Sequence, residues 1–290
     1  MAVTALALRA LGLGDLLTAV PALRALRRAG LRVALAAPAW LREVAALTGA
    51  VDRFHPTADL DGLSWDGPLD LAVNLHGRGP RSHEALLALG PERLWAYAHP
   101  DLGELKGPEW DENEHEVARW CRLVSWYGVH ADPADLGLRV PRVRRPPPGT
   151  VIVHPGGKGT ARRWPPERFA EVARELSRRG HPVVFTGDAR ERPLALRVAT
   201  AAHLPPSAVL AGRTSPRALC GLVAHARLLV TTDTGIAHLA TAYGTPSVII
   251  FGPEPPSRWG PPPDRPRHRV LYQGPDPCAV TVDEVLAAVT

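Results

Sequence analysis

Residues 228–253 read Leu-Leu-Val-Thr-Thr-Asp-Thr-Gly-Ile-Ala-His-Leu-Ala-Thr-Ala-Tyr-Gly-Thr-Pro-Ser-Val-Ile-Ile-Phe-Gly-Pro. The stretch parses as strand, polar turn, helix, glycine stop, strand. Leu228 to Val230 is a short apolar run of the kind buried in a parallel sheet. Thr231 to Gly235 offers helix-capping residues in series. Ile236, Leu239, Ala240 and Tyr243 follow the i, i+3, i+4, i+7 spacing of one helical face. Thr234 and His238, four apart, share another side. Gly244 ends the helix and Pro246 follows it. A helix N-terminus at the carboxyl edge of a parallel strand favours an anion.

Upstream of this unit the same alternation recurs. Val3 to Arg9 reads as a strand, and Ala10-Leu-Gly-Leu-Gly-Asp15 is a glycine turn that opens a helix which Pro21 should kink. Further strands are expected at 31–37, 68–75 and 93–97, and helices at 40–47, 81–89 and 114–128. Residues 100–114 read as a loop. Arg142-Val-Arg-Arg-Pro-Pro-Pro-Gly149 is a stiff, solvated linker. Beyond it, strands are expected at 151–154, 183–186 and 209–211. Helices are expected at 166–179, after the Asp188–Glu191 capping box, after Ser215-Pro216 and after Thr281. Residues 252–269 are proline-rich without a period. The pattern is that of an α/β protein with two Rossmann-like doubly wound domains, residues 1–145 and 146–290, facing a central cleft.

Composition narrows the function. The 290 residues carry a formal net charge of +5, which suits an acidic ligand but is too diffuse for nucleic acid. Arginine outnumbers lysine 32 to 2, so Lys106 and Lys158 stand out. Three scattered cysteines form no metal or disulfide pattern and fit a reducing cytoplasm. No apolar run reaches ~18 residues, so no membrane span is expected.

Three constellations carry chemistry. Gly12-Leu-Gly14-Asp15 resembles a dinucleotide fingerprint but lacks its third glycine, since residue 17 is leucine. Asp15 reads either as a helix cap or as a general base at a strand edge. His154-Pro-Gly-Gly-Lys-Gly-Thr-Ala-Arg-Arg-Trp-Pro165 allows close backbone approach at Gly156 and Gly157 and offers charge at Lys158, Arg162 and Arg163. Glu191 reads as a capping residue or as a hydroxyl contact to a ribose. His76 and Arg78 end a strand in the first domain and are candidates for an acceptor pocket.

Taken in order, Arg9-x-x-x-x-Gly-Asp15, Pro21-Ala-Leu-Arg, His154-Pro-Gly, Arg163-Trp-Pro, Glu167-Arg-Phe, Thr186-Gly, Asp233-Thr-Gly-x-x-His238, Gly244-Thr-Pro and Phe251-Gly-Pro resemble glycosyltransferase family 9, which contains the ADP-heptose:lipopolysaccharide heptosyltransferases. The resemblance implies a GT-B fold with the donor nucleotide in the C-terminal domain. It implies an inverting, metal-independent transfer from a nucleotide-diphosphate sugar, an ADP-sugar, with no further cofactor. The acceptor is a glycan or glycolipid, reached in the cytoplasm at the inner face of the cell membrane. Asp15 matches the catalytic aspartate. Gly14, Gly156, Gly157, Lys158, Arg162, Arg163, Glu191, Asp233, Thr234, Gly235 and His238 match or adjoin the donor segments. Two departures are visible: arginine stands at 162 where some members carry lysine, and Gly156-Gly157 replaces hydroxyl residues. The competing readings are an NAD-dependent oxidoreductase, disfavoured by the truncated fingerprint, a nucleotide-sugar epimerase, and a non-catalytic sugar-nucleotide binder.

Overall fold

A computed structural model describes residues 3–157 and 159–289. The chain divides into two compact units, Met1–Arg139 and Val140–Thr290. The division falls just ahead of the expected linker because that segment packs onto the second unit. A Cβ built on Gly221 would lie 2.0 Å from the Val143 side chain.

The first unit runs β1 (Thr4–Leu8), α1 (Leu13–Thr18), α2 (Val20–Arg28), β2 (Arg32–Ala37), α3 (Arg42–Thr48), β3 (Arg53–Pro56), β4 (Leu71–Asn74), α4 (Arg81–Leu87), β5 (Leu94–Trp95) and α5 (Glu116–Trp126). Its strands are all parallel, in the order β3-β2-β1-β4-β5. The last residues of β1 and β4 face each other, Leu8 beside Asn74. β1 is buried because an apolar run such as Ala5-Leu-Ala-Leu8 can be covered by helices on both faces. The helix expected to kink at Pro21 instead breaks at Ala19, whose N–H turns to Leu16 and Leu17 carbonyls. Proline lacks an N–H and stands at the second position of α2, where none is needed.

The second unit runs β6 (Val151–His154), α6 (Pro166–Arg178), β7 (Val183–Phe185), α7 (Arg192–Ala201), α8 (Pro216–His225), β8 (Leu228–Thr232), α9 (Gly235–Tyr243), β9 (Ser247–Ile250), α10 (Pro256–Trp259), β10 (His268–Leu271) and α11 (Val282–Ala288). Its strands are again parallel, in the order β10-β9-β8-β6-β7. His154 at the end of β6 lies beside Thr231 of β8. Gly244 takes the left-handed conformation, φ 66°, that ends α9. Trp164 and Phe169 meet edge-on at 5.0 Å inside the core, and the Trp164 indole donates to the Val280 carbonyl.

Four expectations need correction. β3 and β10 were not expected, and the residues at 209–211 make one isolated bridge, Phe185 to Val209, in place of a strand. β5 is two residues long. β3 and β10 are outer strands carrying Arg53, His55, Pro56, His268 and Arg269, so neither shows the apolar run of a buried strand. The proline-rich stretch also contains the short helix α10.

In a doubly wound sheet, ligands bind at the carboxyl ends of the two strands where the order reverses. In the first unit those strands are β1 and β4, and in the second they are β6 and β8. The loops and first helical turns that follow these four strands contain Asp15, His76, Gly156-Gly157 and Asp233-Thr-Gly235.

Candidate active site

At the first switch point Asp15 stands in the first turn of α1, next to Gly14. Its carboxylate reaches back, and Oδ2 accepts the Gly12 N–H at 2.9 Å. This is the returning half of a capping box rather than an N-cap. Oδ1 lies 3.6 Å from Arg9 Nη2, and the side chain is 28% exposed. Arg9 itself is buried. It donates to the Asp15 carbonyl, the Leu75 carbonyl, Thr18 Oγ1 and Glu116 Oε1, and its guanidinium stacks on Trp120.

His76 follows β4 directly, and its N–H is held by Asn74 Oδ1 at 2.9 Å. Burial, with help from the Arg9 charge, lowers its pKa to about 4, so the imidazole is neutral at neutral pH. Its Nδ1 is buried and has no hydrogen-bond partner. An unmet buried polar atom costs on the order of 1–3 kcal/mol, which marks His76 as waiting for a partner. Arg78 is exposed and pairs with Glu112 at 2.9 Å.

At the second switch point the strand ends carry amides, hydroxyls and one cluster of charge. Thr234 is the N-cap of α9, but its hydroxyl does not cap the helix. It turns to Thr231 Oγ1 at 3.1 Å and to the Thr232 carbonyl. The first-turn N–H groups at Gly235 are thereby left for an anion. Thr232 is 1% exposed, and its hydroxyl has no partner. It faces Gly157, where an added Cβ would come within 3.6 Å of it.

Asp233 does not cap the helix either. It lies 3.8 Å from Arg162, whose other nitrogen is 3.5 Å from Glu254, and Glu254 also holds Arg258 at 2.9 Å. Burial pushes the Asp233 carboxyl up to about 6 against the opposing pull of Arg162. His238 lies one turn further along α9, with its ring 6.0 Å from Trp259 in an edge-on contact.

Glu191 joins the two loops that flank β6 and β7. Its Oε1 accepts the Gly157 N–H and its Oε2 the Asp188 N–H, both at 2.8 Å. The Glu191 N–H in turn donates to Asp188 Oδ1. This is the expected capping box, extended by one bond to the glycine loop. A Cβ at Gly156 would sit 2.2 Å from Glu191 Oε1, so any side chain there would have to push the carboxylate aside. Arg163 is exposed and donates to the Gly157 carbonyl at 3.3 Å. Lys158 lies outside the described residues.

The second unit therefore gathers Gly156, Gly157, Arg162, Asp233, Thr234 and Gly235 around one strand edge, with Glu191 behind the loop. Three residues of consequence carry no mark in the sequence. Glu254 sits in a proline-rich run, Thr232 reads as the end of a strand, and Glu116 is 107 positions from Arg9, its partner. Among the described residues, no group of three or more His, Cys, Asp or Glu gathers to hold a metal ion. No helix among them is long and apolar enough to cross a membrane.

The chain resembles known proteins in sequence and in fold. Lipopolysaccharide heptosyltransferase 2 of Salmonella typhimurium is 34% identical over 106 residues, 35% of this chain and 30% of that protein. Lipopolysaccharide heptosyltransferase 1 of Pseudomonas aeruginosa is 33% identical over 154 residues, 51% of this chain and 42% of that one. The matched stretches thus span less than half the length of these relatives. A family 9 glycosyltransferase structure from Veillonella parvula superposes with a TM-score of 0.82 at 18% identity, covering 98% of this chain and 95% of that one. The E. coli ADP-heptose LPS heptosyltransferase II structure does so with a TM-score of 0.80 at 21% identity, covering 99% and 97%. The fold is therefore the one these structures share. The family model described as glycosyltransferase family 9 (heptosyltransferase) matches residues 113–287, which include the whole second strand edge but not Asp15. With more than half of the chain matched, this protein belongs to glycosyltransferase family 9.

Proposed function

We propose that the chain is an inverting, metal-independent glycosyltransferase that moves a heptose-like sugar from an ADP-sugar to a hydroxyl of a glycan or glycolipid acceptor. One observation carries the reading. The first sheet presents an oriented, accessible carboxylate at its switch point, and the second presents an amide-rich anion cradle at its own.

In this mechanism the diphosphate of the donor rests on the first turn of α9 at Thr234 and Gly235, beside the Gly156-Gly157 loop. Arg162 offsets the charge that builds on the departing ADP, together with Lys158 and Arg163 from the same loop. Asp233 and His238 turn to the sugar hydroxyls. Asp15 Oδ1 takes the proton of the acceptor hydroxyl as its oxygen forms a bond to the anomeric carbon. The bond from that carbon to the diphosphate breaks, and its electron pair leaves with ADP. Neutral His76, close enough to Asp15 to feel its charge, lines the acceptor side of the site. The named heptosyltransferases are lipopolysaccharide enzymes. That favours a lipid-anchored acceptor, met by peripheral contact with the inner face of the membrane.

The test is turnover of ADP-heptose with heptose-free lipopolysaccharide as acceptor, read as ADP release together with a mass gain of one heptose on the acceptor. ADP release without that gain indicates hydrolysis. An isomerised sugar-nucleotide without ADP release indicates an epimerase. Either result sinks the reading.

A further inference from the structure

Arg9 Nη2 lies between two carboxylates and does not share itself equally. It is 2.8 Å from Glu116 Oε1 and 3.6 Å from Asp15 Oδ1, with Thr18 Oγ1 at 3.2 Å. An arginine bound directly to a carboxylate holds it in the charged form and makes it a poorer proton acceptor. Glu116 is itself fixed. Its Oε1 also accepts the Trp120 indole N–H at 2.9 Å, and its Oε2 takes Arg119 Nη1. Arg119 is anchored in turn to the Asp111 and Glu114 carbonyls. Glu116 and both arginines are at most 5% exposed. Buried charges of this kind cost desolvation that apolar packing would not, so a purely structural tie is an expensive choice.

We propose that Glu116 is a positioning residue for Asp15: by drawing the Arg9 guanidinium toward itself, it keeps Asp15 Oδ1 out of a tight ion pair and free to accept a proton. This rests on Asp15 as the base of the proposed transfer. Three charged or titratable groups surround Asp15. Arg9 comes from the end of β1, His76 from the end of β4, and Glu116 reaches it from α5 through Arg9. His76 is neutral at neutral pH, as its lowered pKa requires. When the Glu116 charge is removed, Arg9 is left with Asp15 as its carboxylate partner.

The experiment compares Glu116→Gln, Asp15→Asn and the double variant, using ADP-heptose and heptose-free lipopolysaccharide. Glu116→Gln keeps size and one acceptor oxygen. It is expected to lower kcat on the order of tenfold, a fraction of the ~10²–10⁴ that a general base supplies, with the KM for ADP-heptose unchanged. The acid limb of its pH–rate profile should move to lower pH. In the Asp15→Asn background the same change should have no further effect, because the group through which it acts is gone. Equal losses in both backgrounds, or an unmoved acid limb, mean that Glu116 serves only the fold and overturn the proposal. Wild-type turnover by Asp15→Asn alone overturns the base assignment instead. Trp120→Phe removes one donor to Glu116 without changing any charge, and stands in if Glu116→Gln does not fold. It should give a smaller loss in kcat alone, and unchanged kinetics in that variant count against the proposal.

Discussion

The two switch points occupy the same place in two sheets of similar build, yet they are made of opposite materials. At the ends of β1 and β4, the Asp15 and Leu75 carbonyls, the Thr18 hydroxyl and the Glu116 carboxylate converge on buried Arg9. At the ends of β6 and β8, glycines, threonines and free amides dominate, and the charged residues Arg162 and Asp233 meet at 3.8 Å. A general base must point in one direction and keep an oxygen free for the proton, and buried partners around it can fix that direction. A diphosphate is large and multiply charged. It is better received by backbone that can approach closely and by cations that can change partner. The architecture supplies only the place, and the side chains after each strand would decide between the proton transfer and the anion capture proposed above.

The largest test of this contrast is Asp15→Asn. It should lower kcat by about 10²–10⁴-fold and leave the affinity for ADP-heptose, measured by calorimetry, unchanged. A matching loss of donor affinity would erase the division of labour. The second is Gly156→Ala. The new Cβ must displace Glu191 from the Gly157 and Asp188 amides, which should weaken ADP-heptose binding by roughly tenfold or more, since a charged hydrogen bond is worth about 1.5–3 kcal/mol. Full affinity in that variant would show that the loop does not need its clamp.

The third test concerns pH. The folded protein raises the Asp233 carboxyl to about 6 from an ordinary 3.8, so it binds that proton more tightly than the unfolded chain does. The stability linked to it is complete below about pH 4 and is lost as pH rises through about 6, on the order of 2 kcal/mol. Asp233→Asn should remove this slope from a plot of urea midpoint against pH. A slope that persists would assign it to another group. The smallest effect sets the background. Thr281→Ala breaks a capping box whose bonds stay between Thr281 and Glu284, and should cost about 1 kcal/mol in thermal unfolding without altering kcat or donor affinity.

Much of the second edge was legible because its chemistry is local. Strand, turn and helix follow one another within 228–244, and the capping boxes at Asp188–Glu191 and Thr281–Glu284 need residues only three apart. The outer strands β3 and β10 were hidden, since polar edge strands lack the pattern that burial imposes. The first edge was half legible. Asp15 follows a recognisable glycine turn, whereas the Arg9–Glu116 contact joins α5 to β1 across 107 positions, and no local rule reports it. Asp233 falls among the donor segments in the sequence, but its pairing with Arg162 and the burial that raises its carboxyl are not legible there.

The bond from the Trp164 indole to the Val280 carbonyl has a practical consequence. Arg168 donates to the same carbonyl and to that of Cys278, and Val280 and Val285 are packed into the core beside Trp164. Trp164 comes directly after Arg163, so the final segment of the sequence is a wall of the basic loop rather than an appendage. Shortening the chain before Val280 would leave an indole facing water one residue from Arg163. For anyone choosing where to cut or fuse this protein, the last helix therefore belongs on the same side of the scissors as the basic loop.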